Sequence, residues 1–472
     1  MNKRLQTFKY ILFDFIMAVT AWGLFFFYRK KEFYFSKQEY FDSVFNDPKF
    51  YYSIIIIPIF WVILYALIGS YRNVFRRSRM RETGQIFIAS FIGVTIIFFV
   101  FILDDVIVSY TDYYKYYLFL FVVHFFLTAL TRFILTMKTN KKIHRGELAF
   151  NTLLIGSNGN AFKVFSEITG QSVASGNRFI GYVRVSGEVH DQMKDLLPCL
   201  GDVDQIESFV VEHAIEEIII AIDPAQHKMI EKILLETNNL KVTIKIMPDY
   251  KDIIAGSVKY SAIFNMPLIE LPVEIMPLWQ QVAKRIIDVV LSVIVIIVFS
   301  PLYLLLAIGV KRSSKGPVLY SHERIGLKGK PFQIYKFRSM LVGAEQNGTP
   351  QLSNKDDPRV TKFGRFMRKY RLDEIPQFFN VLKGNMTLVG PRPERQYYID
   401  QIVQQAPHYR LLQRVKPGIT SWGQVKYGYA ENVEQMIARM KYDLLYIENM
   451  SIAMDFKILF YTVLTVIKGT GK

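Results

Sequence analysis

Apolar residues fall in long blocks over the first third of the chain, and the pattern changes character twice after that. Four runs, at 11–28, 54–71, 86–103 and 116–137, are almost free of charge. Each approaches the ~20 residues that a helix needs to cross a bilayer. Buried helices of a large soluble protein can give similar runs, but four in succession favour a transmembrane bundle over 1–147. From 148 to 271 the blocks shorten. Runs at 151–155, 179–185, 217–222 and 242–247 read as strands, alternating with helical spacing at 161–168 and 225–235. Such alternation predicts a Rossmann-like parallel α/β domain. Pro267, Pro272 and Pro277 mark the approach to a linker, taken as 272–283. A fifth apolar run, 286–310, opens the last region, 284–472.

Charge decides how these runs sit. Arg72, Arg76, Arg77, Arg79 and Arg81 follow the second run, and Lys138, Lys141, Lys142 and Arg145 follow the fourth, whereas Asp104, Asp105 and Asp112 follow the third. The positive-inside rule then puts the N-terminus and everything after the fourth span in the cytoplasm. Arg29, Lys30 and Lys31 in the first loop argue weakly the other way, although Glu32, Glu39, Asp42 and Asp47 follow them, and the even number of spans is the firmer point. The fifth run is basic at both ends, with Lys284 and Arg285 before it and Lys311, Arg312 and Lys315 after it. Ser300-Pro301 falls near its middle, where proline removes a helix hydrogen bond. A re-entrant helix-break-helix satisfies both facts; a straight span would carry the last region across the membrane.

Composition agrees with a membrane protein. The 472 residues are 51% hydrophobic and 15% aromatic with net charge +17, a balance suited to anionic headgroups and phosphorylated substrates. No zinc-finger spacing or basic zipper supports a nucleic-acid partner. The single cysteine, Cys199, excludes a disulfide framework or a cysteine metal cluster. The first run lacks a small-residue cleavage site and is expected to be retained. In the middle domain, Gly156-Ser157-Asn158-Gly159-Asn160-Ala161 is a degraded dinucleotide fingerprint without a third glycine, which favours a structural or regulatory sheet over a working cofactor site.

The chemistry-bearing residues lie after 316. Lys336 and Arg338 alternate with aromatics after the glycine-rich basic turn 324–330, which puts both on one strand face, suited to a nucleotide. Asp373 and Glu374 are adjacent, so on a helix they point about 100° apart and fit two separate roles. Pro376 favours a helix start near Asp373, where free N–H groups help hold phosphate. On these residues alone, an N-cap Asp373 with a first-turn Glu374 explains the pair equally well. Pro391 and Pro393 tip the balance, because they stiffen the presentation of Arg392, and guanidinium grips phosphate bidentately. Trp422 suits a membrane interface or substrate wall. The run 452–467, interrupted by Asp455 and Lys457, reads as an interfacial helix.

These motifs together resemble the catalytic domain of the bacterial sugar transferases, the monotopic phosphoglycosyl transferases. The resemblance runs over 284–472 through Lys284-Arg285 with Asp288, Gly316-Pro317-Val318, Lys336-Phe337-Arg338-Ser339-Met340, Asp357-Pro358-Arg359, Leu372-Asp373-Glu374 with Pro376-Gln377, Gly390-Pro391-Arg392-Pro393 and Lys416-Pro417-Gly418-Ile419-Thr420. With the four spans and the α/β middle, the whole chain is similar to the large, WbaP-like subgroup. The resemblance implies a re-entrant hairpin and a bacterial inner-membrane enzyme whose middle and catalytic domains face the cytoplasm. Such an enzyme moves sugar-1-phosphate from a UDP-sugar to undecaprenyl phosphate and releases UMP. It implies Asp373 as nucleophile and neighbour of Mg²⁺, Glu374 as its helper (a base, or a group polarising the lipid phosphate), and Arg392 as phosphate holder. Lys336, Arg338, Arg359 and Arg395 are supporting candidates, and a homodimer is compatible with the likeness. Ser421-Trp422-Gly423-Gln424-Val425-Lys426-Tyr427-Gly428 departs from the Gly-Trp-Ala-Gln-Val-Asn-Gly of many relatives and, with Arg395, leaves the donor sugar open. Two rivals remain. A non-catalytic scaffold of a polysaccharide assembly complex would release no UMP. An NAD-dependent epimerase or dehydratase would need a Tyr-x-x-x-Lys pair, which Tyr182, Tyr250 and Tyr260 do not provide.

Overall fold

The computed structural model describes residues 3–31, 37–72, 74–75, 79–102, 110–171, 175–185, 192–223, 226–237, 240, 242–248, 268–271, 275–344, 357–428 and 430–467. Arg76, Arg77, Asp104, Asp105, Tyr250, Tyr260, Pro267 and Pro272 lie outside these residues, as does the side chain of Arg81. The chain divides into two compact units, one holding residues 1–150, 169–178 and 277–279, the other the remainder.

The first unit is built on helices α1 (Lys3–Lys31), α2 (Lys37–Phe45), α3 (Pro48–Leu67), α4 (Arg79–Ile97) and α5 (Tyr110–His144). Four helical stretches, 3–31, 48–67, 82–102 and 110–144, are long and apolar enough to cross a membrane, matching the four runs; this is a membrane protein. Asp47 caps α3 by accepting the Lys49 N–H at 3.0 Å, and Pro48 occupies the first turn, where its missing N–H costs nothing. Trp22, Phe25, Ile57, Trp61, Tyr65, Val94 and Tyr116 fill the bundle core. The near absence of charge in the runs concealed one feature. Asp14 on α1 and Arg132 on α5 form a fully buried two-pronged pair, Nε–Oδ1 at 2.9 Å and Nη2–Oδ2 at 2.6 Å.

The second unit begins with a six-stranded sheet, β1 (Phe150–Ile155), β2 (Asn177–Arg184), β3 (Cys199–Asp202), β4 (Glu217–Ile220), β5 (Thr243–Ile246) and β6 (Ile269–Leu271), in the order β3-β2-β1-β4-β5-β6. Helices α6 (Gly159–Thr169), α7 (Ile206–Glu212) and α8 (His227–Thr237) alternate with them. Successive strand residues bury on opposite sides: Leu153, Ile155, Ile218 and Ile220 join one core, Leu154 and Ile219 another. A sheet covered on both faces explains the unbroken apolar runs. The parallel expectation holds for β2–β3, β1–β4 and β4–β5, while β6 pairs antiparallel with β5. At the glycine turn, Asn158 Oδ1 accepts the N–H groups of Asn160 and Ala161, so the chain's own side chain engages donors that a phosphate would use.

The expected linker 272–283 turns helical at Leu278, because α9 (Leu278–Val298) extends below the apolar run. It meets α10 (Ser300–Ser313) at a 63° bend. The break comes at Phe299, and Pro301 sits in the first turn of α10, where proline is tolerated. The helical pair therefore covers 278–313 rather than 286–310. Ile286, Val290, Ile294, Ile297, Leu304 and Leu305 are exposed along it, an apolar surface of the kind membranes cover.

The rest of the unit comprises the hairpin β7 (Leu319–Ile325) and β8 (Pro331–Phe337), then α11 (Lys362–Lys369), α12 (Gln377–Lys383), β9 (Thr387–Val389), α13 (Gln396–Gln405), β10 (Gly418–Thr420), α14 (Trp422–Lys426), α15 (Val433–Glu448) and α16 (Ile452–Ile467). Val381, Met386, Ile402, Met440, Tyr446 and Ile458 form its core. Asp455, read from the sequence as an interruption of α16, faces inward: it takes Lys284 Nζ at 2.6 Å and the Tyr446 hydroxyl at 2.6 Å. Phe456, Phe460 and Val463 remain exposed on the opposite side.

Candidate active site

Asp373 and Glu374 lie on a short 3₁₀ turn, Leu372–Glu374, and the α-helix starts only at Gln377, after Pro376. The expected helix start near Asp373 is thus displaced by one turn. Arg371, with φ +56°, holds the left-handed conformation that lets the chain reverse into this turn. Below it, Leu372 and Ile375 pack on Leu306, Val310, Phe337 and Met367, and the Tyr303 hydroxyl donates to the Ile375 carbonyl at 2.8 Å. The dyad therefore rests on the second arm of the helical pair.

Strand β8 is fastened beside it by Asn380, which is fully buried. Its amide donates to the Gln333 carbonyl at 2.7 Å and accepts the Tyr335 N–H at 3.0 Å. That clamp delivers Lys336, whose Nζ donates to Glu374 Oε1 at 2.8 Å. Arg392 reaches the same oxygen at 3.4 Å and Arg371 reaches Oε2 at 3.2 Å. Arg392 arrives through β9 and β10, which pair in parallel. Gly390 N–H donates to the Thr420 carbonyl and Gly418 N–H to the Pro391 carbonyl, at 3.0 and 2.9 Å. Gly390 packs against the Lys416–Gly418 backbone, where a Cβ would collide. The Pro-Arg-Pro and Lys-Pro-Gly motifs, far apart in sequence, are one structure.

The two carboxylates differ. Both are buried, at 8% and 7% exposure. Asp373 accepts no hydrogen bond among the described residues. Burial pushes its carboxyl above the usual range, against the pull of Lys336 and with the push of Glu374. Burial acts on Glu374 in the same direction, but Lys336, Arg392 and Arg371 outweigh it and hold that carboxyl well below the usual range. The Lys336 ammonium is itself lowered, by burial first and by Arg392, with Glu374 opposing. The pair thus titrates unequally: one acid carries all the cationic contacts and the other faces the site unbonded.

The remaining expected residues divide. Arg395, the residue before α13, lies with Arg392, Lys336 and Arg324 within electrostatic reach of His322, which burial and these cations lower to about 2. Arg359 turns back onto Asp357, at 2.9 and 2.6 Å. Arg338 does not share a face with Lys336. It follows the last residue of β8 and reaches the Ser314 carbonyl at 2.7 Å instead. Several residues escaped the sequence reading. Arg371 was adjacent to the dyad yet unassigned. Glu394 takes Arg324 at 2.8 Å and Arg439 at 2.6 Å. Asp443, raised to about 6 by burial against the opposing pull of Arg439, accepts the Gly423 N–H at 2.8 Å. Arg439 and Asp443 are one helical turn apart, and only that i, i+4 spacing hinted at a joint role.

Residues 279–469 match the family model described as bacterial sugar transferase, and residues 66–248 match one described as a CoA-binding domain. A UDP-N-acetylgalactosamine-undecaprenyl-phosphate N-acetylgalactosaminephosphotransferase of Aeromonas hydrophila is 44% identical over 40% of this chain and 44% of its own. A UDP-glucose:undecaprenyl-phosphate glucose-1-phosphate transferase of Xanthomonas campestris pv. campestris is 36% identical over 63% of this chain and 62% of its own. The chain thus spans about half the length of these two relatives. An uncharacterized sugar transferase of Haemophilus influenzae is 30% identical over 70% of this chain and 71% of its own. The helical pair, the motif loops drawn together around a buried acid dyad, and this extended likeness have one conclusion: the chain belongs to the bacterial sugar transferase family.

Proposed function

We propose that this protein transfers sugar-1-phosphate from a UDP-sugar to undecaprenyl phosphate, releasing UMP and forming undecaprenyl-diphosphate-sugar, an initiating membrane step of a surface glycan. The observation that carries the reading is the inequality at 373–374: a buried carboxylate with no hydrogen-bond donor among the described residues beside one that gathers three cations. An Asp373 oxygen attacks the β-phosphorus of the donor. The bond from that phosphorus to the oxygen bridging the α-phosphate breaks, and UMP leaves. An oxygen of the lipid phosphate then attacks the same phosphorus and displaces Asp373. Covalent catalysis splits one displacement between two anions into two easier steps.

Glu374 suits an organising role better than that of a base, since a carboxyl held so low is a weak proton acceptor. It keeps Lys336, Arg371 and Arg392 gathered where the donor's diphosphate charge arrives. Among the described residues no three acidic or histidine side chains form a metal cluster. The donor set does fit a cation carried by substrate phosphates, because Mg²⁺ needs only one or two protein carboxylates and Asp373 has one unengaged. Asp373 would hold it, and when bound the ion would neutralise diphosphate charge.

The bent pair α9–α10, with basic residues at both ends, supports a re-entrant hairpin. With the loop charges it supports an inner-membrane protein whose catalytic region faces the cytoplasm, where UDP-sugars are made. The two named relatives act on different sugars, so the test is a UMP-release screen. It uses full-length protein in lipid nanodiscs with undecaprenyl phosphate, Mg²⁺ and a panel of UDP-sugars. Asp373→Asn is expected to abolish UMP release and the trappable phosphosugar adduct. Undiminished release by that variant would remove Asp373 from the chemistry.

A further inference from the structure

The second unit pairs its shielded cations with carboxylates almost one by one. Arg324 and Arg439 share Glu394, Lys284 meets Asp455, Arg359 meets Asp357 and Lys336 meets Glu374, all within 2.8 Å. Arg338 breaks the pattern. It is 6% exposed, and among the described residues its guanidinium makes one hydrogen bond, from Nη2 to the Ser314 carbonyl at 2.7 Å, and no ion pair. Its Nε and Nη1 are buried without an acceptor, and so is the Ser314 hydroxyl. A buried guanidinium with two unused donors and no counter-charge is costly. An anionic ligand offsets that cost by supplying both acceptors and charge.

The surroundings indicate which anion. Gly316, with φ +132°, lies against the guanidinium, and a Cβ there would run into Nη1 and Val342. Glycine at this position is what leaves the guanidinium its room. Ser314 and Gly316 follow directly on α10, and Lys311, Arg312 and Lys315 are exposed beside them. On the same arm Leu304, Leu305 and Ile308 are exposed. The orphaned donors therefore sit where an apolar arm gives way to basic residues, the level at which a lipid headgroup meets water. Lys336, two residues earlier, is turned to the dyad instead. A reaction between two phosphorylated substrates needs two such cationic stations.

On the phosphoglycosyl-transfer reading, on which this step rests, we infer that Arg338, Ser314 and the Gly316 turn form the subsite for the phosphate-monoester headgroup of the polyprenol acceptor. Lys336 and Arg392 serve the donor's diphosphate. The headgroup accepts from Arg338 Nε and Nη1 and from the Ser314 hydroxyl, while its chain lies along α10.

Steady-state kinetics in nanodiscs test this with wild type, Arg338→Gln and Ser314→Ala. Arg338→Gln is expected to raise the KM for undecaprenyl phosphate at least tenfold, about 1.4 kcal/mol, and Ser314→Ala about threefold, with the KM for the UDP-sugar within twofold of wild type in both. A raised donor KM, or an unchanged lipid KM in both variants, overturns the assignment. Inorganic phosphate is expected to compete with undecaprenyl phosphate in wild type and to lose that competition in Arg338→Gln. Equal competition by phosphatidylglycerol would instead mark a bulk-lipid contact and overturn it. Should Arg338→Gln fail to fold, Ser314→Ala carries the test. A second measurement then joins it, thermal stabilisation of Asp373→Asn by undecaprenyl phosphate but not by undecaprenol, and its absence counts against the subsite. Wild type that releases no UMP from any UDP-sugar removes the parent reading; an active wild type with unshifted variants removes this inference alone.

Discussion

Replacing Glu374 by glutamine separates a carboxylate that organises cations from one that accepts a proton. Its Oε1 takes Lys336 at 2.8 Å and Arg392 at 3.4 Å, its Oε2 takes Arg371 at 3.2 Å, and its side chain is 9% exposed. Glutamine preserves the volume and one acceptor but removes the charge and turns an NH₂ group toward cations. Removing one partner of a buried ion pair costs about 3–5 kcal/mol. Arg371 keeps 24% of its side-chain surface and can turn to solvent, which favours the low end, about 3 kcal/mol. At roughly 2–4 °C per kcal/mol for a unit of a couple of hundred residues, the apparent Tm falls by about 6–12 °C. The same change frees positive potential, since a unit charge about 4 Å away is worth roughly 4 kcal/mol at an effective dielectric of about 20. UMP is therefore expected to bind at least about tenfold tighter to the variant while turnover falls. Thermal denaturation and calorimetric UMP titration of full-length protein in nanodiscs read both quantities. A variant with wild-type Tm and wild-type UMP affinity would refute the organising role, and loss of turnover alone would restore the base.

Two further outcomes follow from the charges around the dyad and below it. Lys336 holds the buried Asp373 carboxyl down against its desolvation, and in the proposed mechanism the ionised form is the nucleophile. Lys336→Met is therefore expected to move the acid limb of kcat/KM for the UDP-sugar to higher pH, and an acid limb that stays put or moves lower would contradict the assignment. Asp443 has its carboxyl raised to about 6 by burial, above the ordinary value of about 3.9. It is protonated in both folded and unfolded states at low pH, and stability is lost as pH rises from about 4 to about 6. Asp443→Asn is expected to remove a decline of about 3 kcal/mol across that window, measured as the difference between the two proteins' denaturation profiles; parallel profiles would exclude it.

The sequence was most legible where one local property sets the structure. Desolvation of the peptide backbone makes a long uncharged run a helix in the membrane, so the four spans of the first unit stood out at once. Unbroken apolar runs announced the middle sheet, whose strands are covered on both faces, and proline's missing N–H announced the break beside Pro301. Lines of proline and glycine located the loops that carry Asp373, Glu374 and Arg392. What local pattern could not carry was pairing. Asp14 and Arg132 are 118 residues apart, and Lys284 and Asp455 are 171, so neither looked neutralised in sequence. Strand alternation put Lys336 and Arg338 on one face. The end of β8 and the Asn380 clamp turned one to Glu374 and left the other against Ser314 and Gly316. The sequence by itself determined which segments are long and apolar enough to cross a membrane and which loops bring acids and cations together. Only the tertiary structure decided which carboxylate is saturated with cations and which is left unbonded. Burial and neighbouring charge set a side chain's chemistry, and both come from residues that meet only when the chain has folded.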